Sequence, residues 1–397
     1  MSTMAVAERA QAGSARTAAD PERWILPTVL LATTSIVIGA IWDISWHMSI
    51  GRDSLWSPPH LLEQFGAGLA GLTCGAYVLW LTFRAPSAAR ARTVHFWGFR
   101  GPLGAWLCIW GALAMIASVP FDDWWHNAYG LDVEILSPPH ALLMLGVIGI
   151  QFGTMLFALA AQNRADQSTG RAFSWAFTYA TGILLLMSTL AGYEYIGYAN
   201  EWHRAGFYKI TAIVFPFILV SVSRTARVSW AAAAAAAIYM AIMLTTMWVL
   251  QLVPAEPKLA PIYNRVARMV PLAFPLVLVA PAITIDLLGR WLRQRSVWLL
   301  AACVGASFVA VMLAVHWPFG AFMLSPSARN HFFGADLWPY MYRADEWRHA
   351  FWRMDLNADG TWSAVKFLTG IGLAMVFACV SARLGLWWGA WTRRVVR

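Results

Sequence analysis

The chain has 397 residues, of which 59% are hydrophobic and only 12% are charged, and its formal net charge is +9. A soluble globular domain carries about 25% charged residues, so this composition excludes an ordinary soluble domain. The positive charge could suggest a nucleic-acid partner, but the arginines lie in short loops between apolar blocks, which is the pattern that membrane topology produces. We therefore expect a lipid bilayer as partner and no nucleic acid.

In chain order, residues 1–23 are rich in Ala, Ser and Arg without an apolar core, which predicts a disordered cytoplasmic tail. Apolar blocks follow, each of about 20 residues and long enough to cross a bilayer as a helix. We predict an all-α fold, a polytopic transmembrane helix bundle of about ten spans built from helical hairpins in parallel repeat. The predicted spans are 24–45, 60–83, 102–121, 140–161, 173–197, 206–223, 229–253, 268–289, 297–323 and 361–385.

These spans divide the chain into successive parts. Residues 24–161 hold four spans in two similar hairpins, and residues 162–323 hold five further spans. Residues 324–360 are rich in Trp and Tyr, which predicts an outer cap lying at the membrane interface. Residues 361–397 form the last span and a basic cytoplasmic tail.

The charge of the loops alternates along the chain. Arginines concentrate in loops 84–101, 162–172, 224–228 and 290–296, whereas the intervening loops carry acidic or mixed charge. Under the positive-inside rule both termini are cytoplasmic, in a membrane of the bacterial inner (plasma) membrane type. Of the nine histidines only His95 falls on the basic side, so the polar chemistry is expected on the outer, periplasmic side.

One polar sequence motif occurs twice on that outer side. Residues 43–60 read DISWHMSIGRDSLWSPPH, and residues 122–140 read DDWWHNAYGLDVEILSPPH. An Asp and a His four residues apart lie on one face of a helix. Ser-Pro-Pro then opens the returning helix, because Ser is a good N-cap and Pro suits the first turn. Each hairpin is therefore predicted to bring an Asp and two His side chains together.

Two imidazoles and one carboxylate form an incomplete coordination sphere that can bind a transition metal and leave positions open. Imidazole suits copper, zinc, iron or nickel, so ligand type alone does not select the metal. The alternative is that the duplicated hairpin is only an architectural device. The predicted metal ligands are Asp43, His47 and His60 in the first copy and Asp122, His126 and His140 in the second.

Ligating histidines usually donate their other ring nitrogen to an acceptor outside the metal's own shell. The candidate acceptors near the first copy are Asp53 and Glu63, and near the second copy Asp132. Asp123 directly follows Asp122 and could compete with it as the ligand.

The spacings D-x3-H-x12-H and D-x3-H-x13-H resemble those in a membrane subunit of particulate methane monooxygenase and ammonia monooxygenase, the copper membrane monooxygenase family. In that family a D-x3-H-x12-H copper site is followed by an N-x3-H-x13-H site. The resemblance covers roughly residues 24–160, and the surroundings of the first site are also similar: Trp46, Arg52, Asp53 and Glu63 accompany the three ligand positions. This chain departs from the family at Asp122, where the family has Asn, so its second ligand set is more anionic.

The resemblance implies copper as cofactor, with iron or zinc as alternatives, and O2-dependent oxidation of a small apolar substrate. Such activity would need a reductant and further membrane subunits, and an oligomer is compatible with it. The alternative function is metal handling, namely copper transport, storage or assembly, without oxygen chemistry. Degenerate repeats of the hairpin sequence in the second half of the chain contain His203, His316 and His331. We expect these histidines to be hydrogen-bonded rather than metal ligands.

Overall fold

The computed structural model describes residues 22–51, 54–91, 93–130, 137–256, 266–336, 355 and 363–396. The predictions for the N-terminal tail up to residue 21, for most of the outer cap, and for Asp53 and Asp132 lie outside these ranges. Ten helices make up most of the described chain: α1 (Glu22–Ser49), α2 (Pro58–Phe83), α3 (Leu103–Tyr129), α4 (Pro138–Arg164), α5 (Gln167–Ala191), α6 (Ala205–Thr225), α7 (Ala231–Leu250), α8 (Val279–Trp291), α9 (Val297–Leu324) and α10 (Ala364–Thr392).

Nine of these ten helices, all except α8, are long and apolar enough to cross a membrane. The predicted all-α polytopic bundle is therefore confirmed, and the protein is a multi-pass membrane protein. The only sheet in the described ranges is a two-stranded antiparallel hairpin, β1 (Val94–Phe96) and β2 (Phe99–Gly101). It lies between α2 and α3, in a connection that the sequence predicted only as a loop.

The first four helices form two antiparallel hairpins, α1 with α2 and α3 with α4, and α2 packs against α3. Glycines let the helix backbones approach closely, as is common in membrane helix pairs. A Cβ added at Gly111 on α3 would lie 2.6 Å from the carbonyl oxygen of Gly146 on α4. A Cβ added at Gly66 on α2 would lie 2.6 Å from the carbonyl oxygen of Ala32 on α1. Both hairpins turn at the same end of the bundle.

The two returning helices begin as the Ser-Pro-Pro sequences predict. Pro58 and Pro138 are the first residues of α2 and α4, and Ser57 and Ser137 occupy the N-cap positions with extended backbone. The Ser137 hydroxyl accepts a hydrogen bond from the backbone N–H of His140, at 3.4 Å. The Ser57 side chain makes no such capping bond, so the prolines rather than the serine hydroxyl define the start of α2.

The predicted eighth span, 268–289, is wrong as a continuous helix. Helix α8 begins only at Val279 and has 13 residues, and residues 266–276 before it contain no helical turn. Most of the segment 269–278 is nevertheless buried, including Met269, Leu272 and Leu276 at 1% exposure each. Two prolines, Pro271 and Pro275, remove backbone donors and oppose a helix there. Non-helical backbone at membrane depth is tolerated when it is buried in protein.

Side chains of the surrounding helices supply the hydrogen bonds that this buried segment cannot make to itself. Four backbone N–H groups donate to them: Val270 to Ser49 Oγ at 2.7 Å, Ala273 to Tyr193 Oη at 2.7 Å, Leu276 to Tyr239 Oη at 3.0 Å and Val277 to His316 Nε2 at 3.1 Å. The Ser45 hydroxyl in turn donates to the carbonyl oxygen of Val270 at 2.6 Å. Segment 269–278 is thus held by α1, α7, α9 and the turn after α5.

Candidate metal-binding clusters

Both copies of the repeated sequence motif fold in the same way. The Asp and the first His lie in the last two turns of the outgoing helix, on α1 in copy one and on α3 in copy two. The second His lies in the first turn of the returning helix, on α2 or α4. The predicted convergence of each Asp with its two His side chains is therefore present in the structure.

In the first cluster the Asp43 carboxylate lies between two imidazoles. His47 Nε2 is 3.5 Å from Asp43 Oδ2, and His60 Nε2 is 3.4 Å from Asp43 Oδ1. The Asp43 side chain is 22% exposed, and its Oδ1 atom is buried and accepts no hydrogen bond from any described residue. A buried carboxylate oxygen in that state is costly unless a cation or a proton compensates it.

The second cluster repeats this arrangement. His126 Nε2 lies 3.4 Å from Asp122 Oδ2, and His140 Nε2 lies 3.7 Å from Asp122 Oδ1. In both copies, therefore, the two imidazoles present the same ring nitrogen, and they lie beside opposite oxygens of one carboxylate. The match extends the sequence repeat to the level of individual atoms.

Backbone carbonyls set the tautomer of one imidazole in each cluster. His60 Nδ1 lies 3.0 Å from the carbonyl oxygen of Ser54, and His126 Nδ1 lies 3.1 Å from that of Gly130. A carbonyl can only accept a hydrogen bond, so Nδ1 carries the proton in each ring. In the neutral imidazole, Nε2 is then an acceptor facing a carboxylate oxygen. Such a pair is repulsive unless a proton or a metal cation lies with it.

The sequence predicted carboxylates as the acceptors of the imidazole N–H groups and did not predict these backbone carbonyls. The repeated glycine was the available signal: Gly51 and Gly130 each follow the first His by four residues and have φ of +103° and +89°. Only glycine adopts such angles readily, so a glycine at this position indicates a sharp turn after the helix. In the second copy that turn brings the Gly130 carbonyl back to His126.

The donor types and spacings can be compared with the needs of a metal ion. Ligands about 2.0–2.2 Å from a tetrahedral ion lie about 3.3–3.6 Å from each other, whereas a charge-assisted hydrogen bond spans about 2.7–2.9 Å. The Nε2-to-Oδ distances of 3.4–3.7 Å match the first range better. However, no three His, Cys, Asp or Glu side chains within the described ranges are placed to hold an ion as they stand.

The two observations are compatible, because the imidazoles of each cluster lie beside different carboxylate oxygens and so do not share one point. The residues present match a transition metal in donor type and in pairwise spacing, but the donor atoms of the described residues do not converge on one point in this structure.

The remaining predicted residues lie differently. Asp123 is exposed, and its carboxylate and backbone carbonyl accept hydrogen bonds from the Asn127 side chain, so Asp122 alone of the pair faces the two imidazoles. Glu63 is buried one turn after His60, at a close approach of α2 to Gly39 on α1, where an added Cβ would lie 2.6 Å from Glu63 Cγ. Asp53 and Asp132 lie outside the described ranges.

Two of the second-half histidines, His203 and His316, form hydrogen bonds within the protein, as expected. His316 Nδ1 lies 3.2 Å from the Met312 carbonyl oxygen, so this ring donates there and accepts from Val277 through Nε2. His203 Nε2 lies 3.0 Å from the Trp317 carbonyl oxygen. Burial lowers the pKa of His203, although its backbone hydrogen bonds act in the opposite direction.

Comparison with known proteins yields no match to a family model, to a curated protein or to a solved structure. The class of protein is set by the fold alone: a polytopic helical membrane protein with two matched Asp–His–His clusters.

Proposed function

We propose that the protein is a membrane metalloprotein that binds copper at the two Asp–His–His clusters. One observation carries the proposal: in both hairpins two imidazole Nε2 atoms flank a single carboxylate at 3.4–3.7 Å. Helix packing alone does not explain two copies of this polar arrangement, because neither charge nor imidazole is needed to close a hairpin. A bound cation would offset the carboxylate charge in both copies.

Within this proposal the chain's own groups have distinct roles. Asp43, His47 and His60 would hold the first ion, and Asp122, His126 and His140 the second. The Ser54 and Gly130 carbonyls keep the proton on Nδ1 of His60 and His126, so that each Nε2 lone pair is available. Imidazole and carboxylate donors suit copper, and iron or zinc as alternatives.

The resemblance to the copper membrane monooxygenases extends the proposal to O2-dependent oxidation of a small apolar substrate. Copper supplies the redox chemistry, and turnover requires a reductant and other membrane proteins as partners. The arginine-rich ends of the helices support the orientation proposed with it: both termini in the cytoplasm of a bacterial-type cell, and the clusters towards the periplasm.

Metal analysis of the purified protein tests the binding step. We expect wild type loaded with copper to hold two equivalents, His47→Ala and His126→Ala to lose one each, and the double variant to lose both. His95→Ala is the matched control, because His95 lies in β1 at the opposite end of the bundle. Unchanged copper in both cluster variants would rule the proposal out.

Oxygen consumption tests the second step. Reductant-dependent O2 uptake that disappears in His47→Ala but survives in His95→Ala is the expected result for an oxygenase. Copper binding without any reductant-dependent uptake, including after reconstitution with membrane partners, would leave metal handling as the function.

A further inference from the structure

A cavity of about 220 Å³ opens at the end of the bundle opposite the metal-binding clusters. It lies among α6, α7, α8, α9 and α10, where the arginine-rich connections emerge. Its inner wall is apolar, with Leu300, Val304 and Leu386. Its polar lining residues are Ser223, Arg224, Ser229, Asp286 and Arg290. Neither hairpin that holds the Asp–His–His clusters contributes to it.

One of the two arginines is held in place by an aromatic ring. The Arg290 guanidinium lies 3.9 Å from the centre of the Trp230 ring, within the range of a cation–π contact. Trp230 has φ of +60°, a left-handed backbone conformation that is unfavourable for a non-glycine residue. Such a conformation persists only where the surroundings enforce it, and here it places the ring that contacts Arg290 at the cavity.

Asp286 also lines the cavity, and its carboxylate is hydrogen-bonded to groups of the protein. The Asp286 carboxylate accepts hydrogen bonds from Ser223 Oγ at 2.6 Å and from the backbone N–H groups of Ala233 at 3.0 Å and Ala232 at 3.4 Å. It therefore caps the N-terminus of α7, where a negative charge is favourable. The Asp286 charge therefore stabilises that helix end, and two arginines stand against this one carboxylate among the lining residues.

Further arginines crowd the same end. Burial lowers the pKa of Arg393, and the charges of Arg224, Arg293 and Arg227 lower it further. Each of these three guanidinium groups is thus close enough to that of Arg393 to repel it. An anion bound beside them would offset that repulsion, and planar guanidinium groups match phosphate oxygens in pairs.

We propose that this cavity binds a phosphate-bearing anion, with Arg224 and Arg290 as its cationic ligands. The volume accommodates a phosphate group with a small polar substituent. Basic pockets between membrane helices suit the headgroup of an anionic phospholipid, and the same chemistry suits a free phosphate. The inference is independent of copper, because no cluster residue lines the cavity.

The test uses full-length protein in nanodiscs. One arm compares phosphatidylcholine discs with discs that also contain phosphatidylglycerol, and the other adds inorganic phosphate to phosphatidylcholine discs. The readouts are the thermal unfolding midpoint as the anion is titrated and the phospholipid retained in native mass spectra. A midpoint rise with phosphatidylglycerol alone assigns a lipid headgroup, and a rise with inorganic phosphate assigns a free phosphate.

Three variants and one control locate the site. Arg224→Gln and Arg290→Gln should each weaken the apparent affinity about tenfold or more, since each removes a charge-assisted contact. Gly289→Leu should block the cavity sterically with every charge intact, because an added Cβ there meets only Ser223 Oγ, at 3.9 Å. Arg100→Gln, an exposed arginine in β2 at the same end, should bind as wild type does.

Two results would overturn the proposal. The first is a wild-type protein whose unfolding midpoint responds to neither anion. The second is an equal loss of response in Arg100→Gln and in the cavity variants, since that would mean unspecific attraction to a basic surface. Copper content should be unchanged in all four variants, which separates this test from that of the metal sites.

Discussion

The buried non-helical segment 269–278 depends on acceptors from distant helices, and Tyr239→Phe removes one of them. Tyr239 is fully buried on α7, and its hydroxyl accepts the backbone N–H of Leu276 at 3.0 Å. The substitution deletes one oxygen and leaves the ring, so it creates little cavity volume. The decrease in the free energy of unfolding therefore comes mainly from the lost hydrogen bonding.

The magnitude follows from the buried N–H that is left without its acceptor. Such a group costs about 1–3 kcal/mol, so the free energy of unfolding should fall by about that amount. The assay is unfolding of the purified protein by SDS in mixed micelles, followed by circular dichroism. Helix α8 should also become more accessible to hydrogen exchange, because segment 269–278 anchors its start.

Tyr179→Phe is the matched control. Its hydroxyl lies 2.9 Å from Thr34 Oγ1, but Thr34 also donates to the Leu30 carbonyl at 2.7 Å, so no backbone N–H loses a partner. We expect a loss of about 0.5–1.5 kcal/mol or less there. If Tyr239→Phe destabilises no more than Tyr179→Phe, the Tyr239 hydroxyl does not support segment 269–278 and the reasoning fails.

Two further predictions concern packing and pH. Gly111→Ala should destabilise the α3–α4 hairpin by about 1–3 kcal/mol in the same assay, since its Cβ would lie 2.6 Å from the Gly146 carbonyl. Gly75→Ala, where an added Cβ meets nothing within 4 Å, should be neutral or stabilising, and equal losses would contradict this account. Because the pKa of His203 is lowered by folding, the unfolded chain binds its proton more readily, and stability should fall as pH drops below about 6.5. His203→Gln should flatten that part of the unfolding-versus-pH curve, and an unchanged slope would show that another group titrates.

The sequence alone determined the class of the protein and the content of the two clusters. Apolar length predicts helices in lipid, because every backbone polar group must be satisfied within the segment. The i, i+4 spacing of Asp43 and His47 and the Ser-Pro-Pro start of α2 are local rules, so the meeting of these two residues with His60 followed from short-range geometry. The same holds for Asp122, His126 and His140.

Only the tertiary structure decided how segment 269–278 crosses the interior. Hydropathy alone predicts a span at 268–289, because a buried extended strand and a buried helix are equally apolar. The choice rests on Ser49, Tyr193, Tyr239 and His316, which lie up to 221 residues away along the chain and supply the missing hydrogen bonds. The arginine-lined cavity has the same origin, because residues of five helices meet there through long-range packing, which local sequence patterns do not encode.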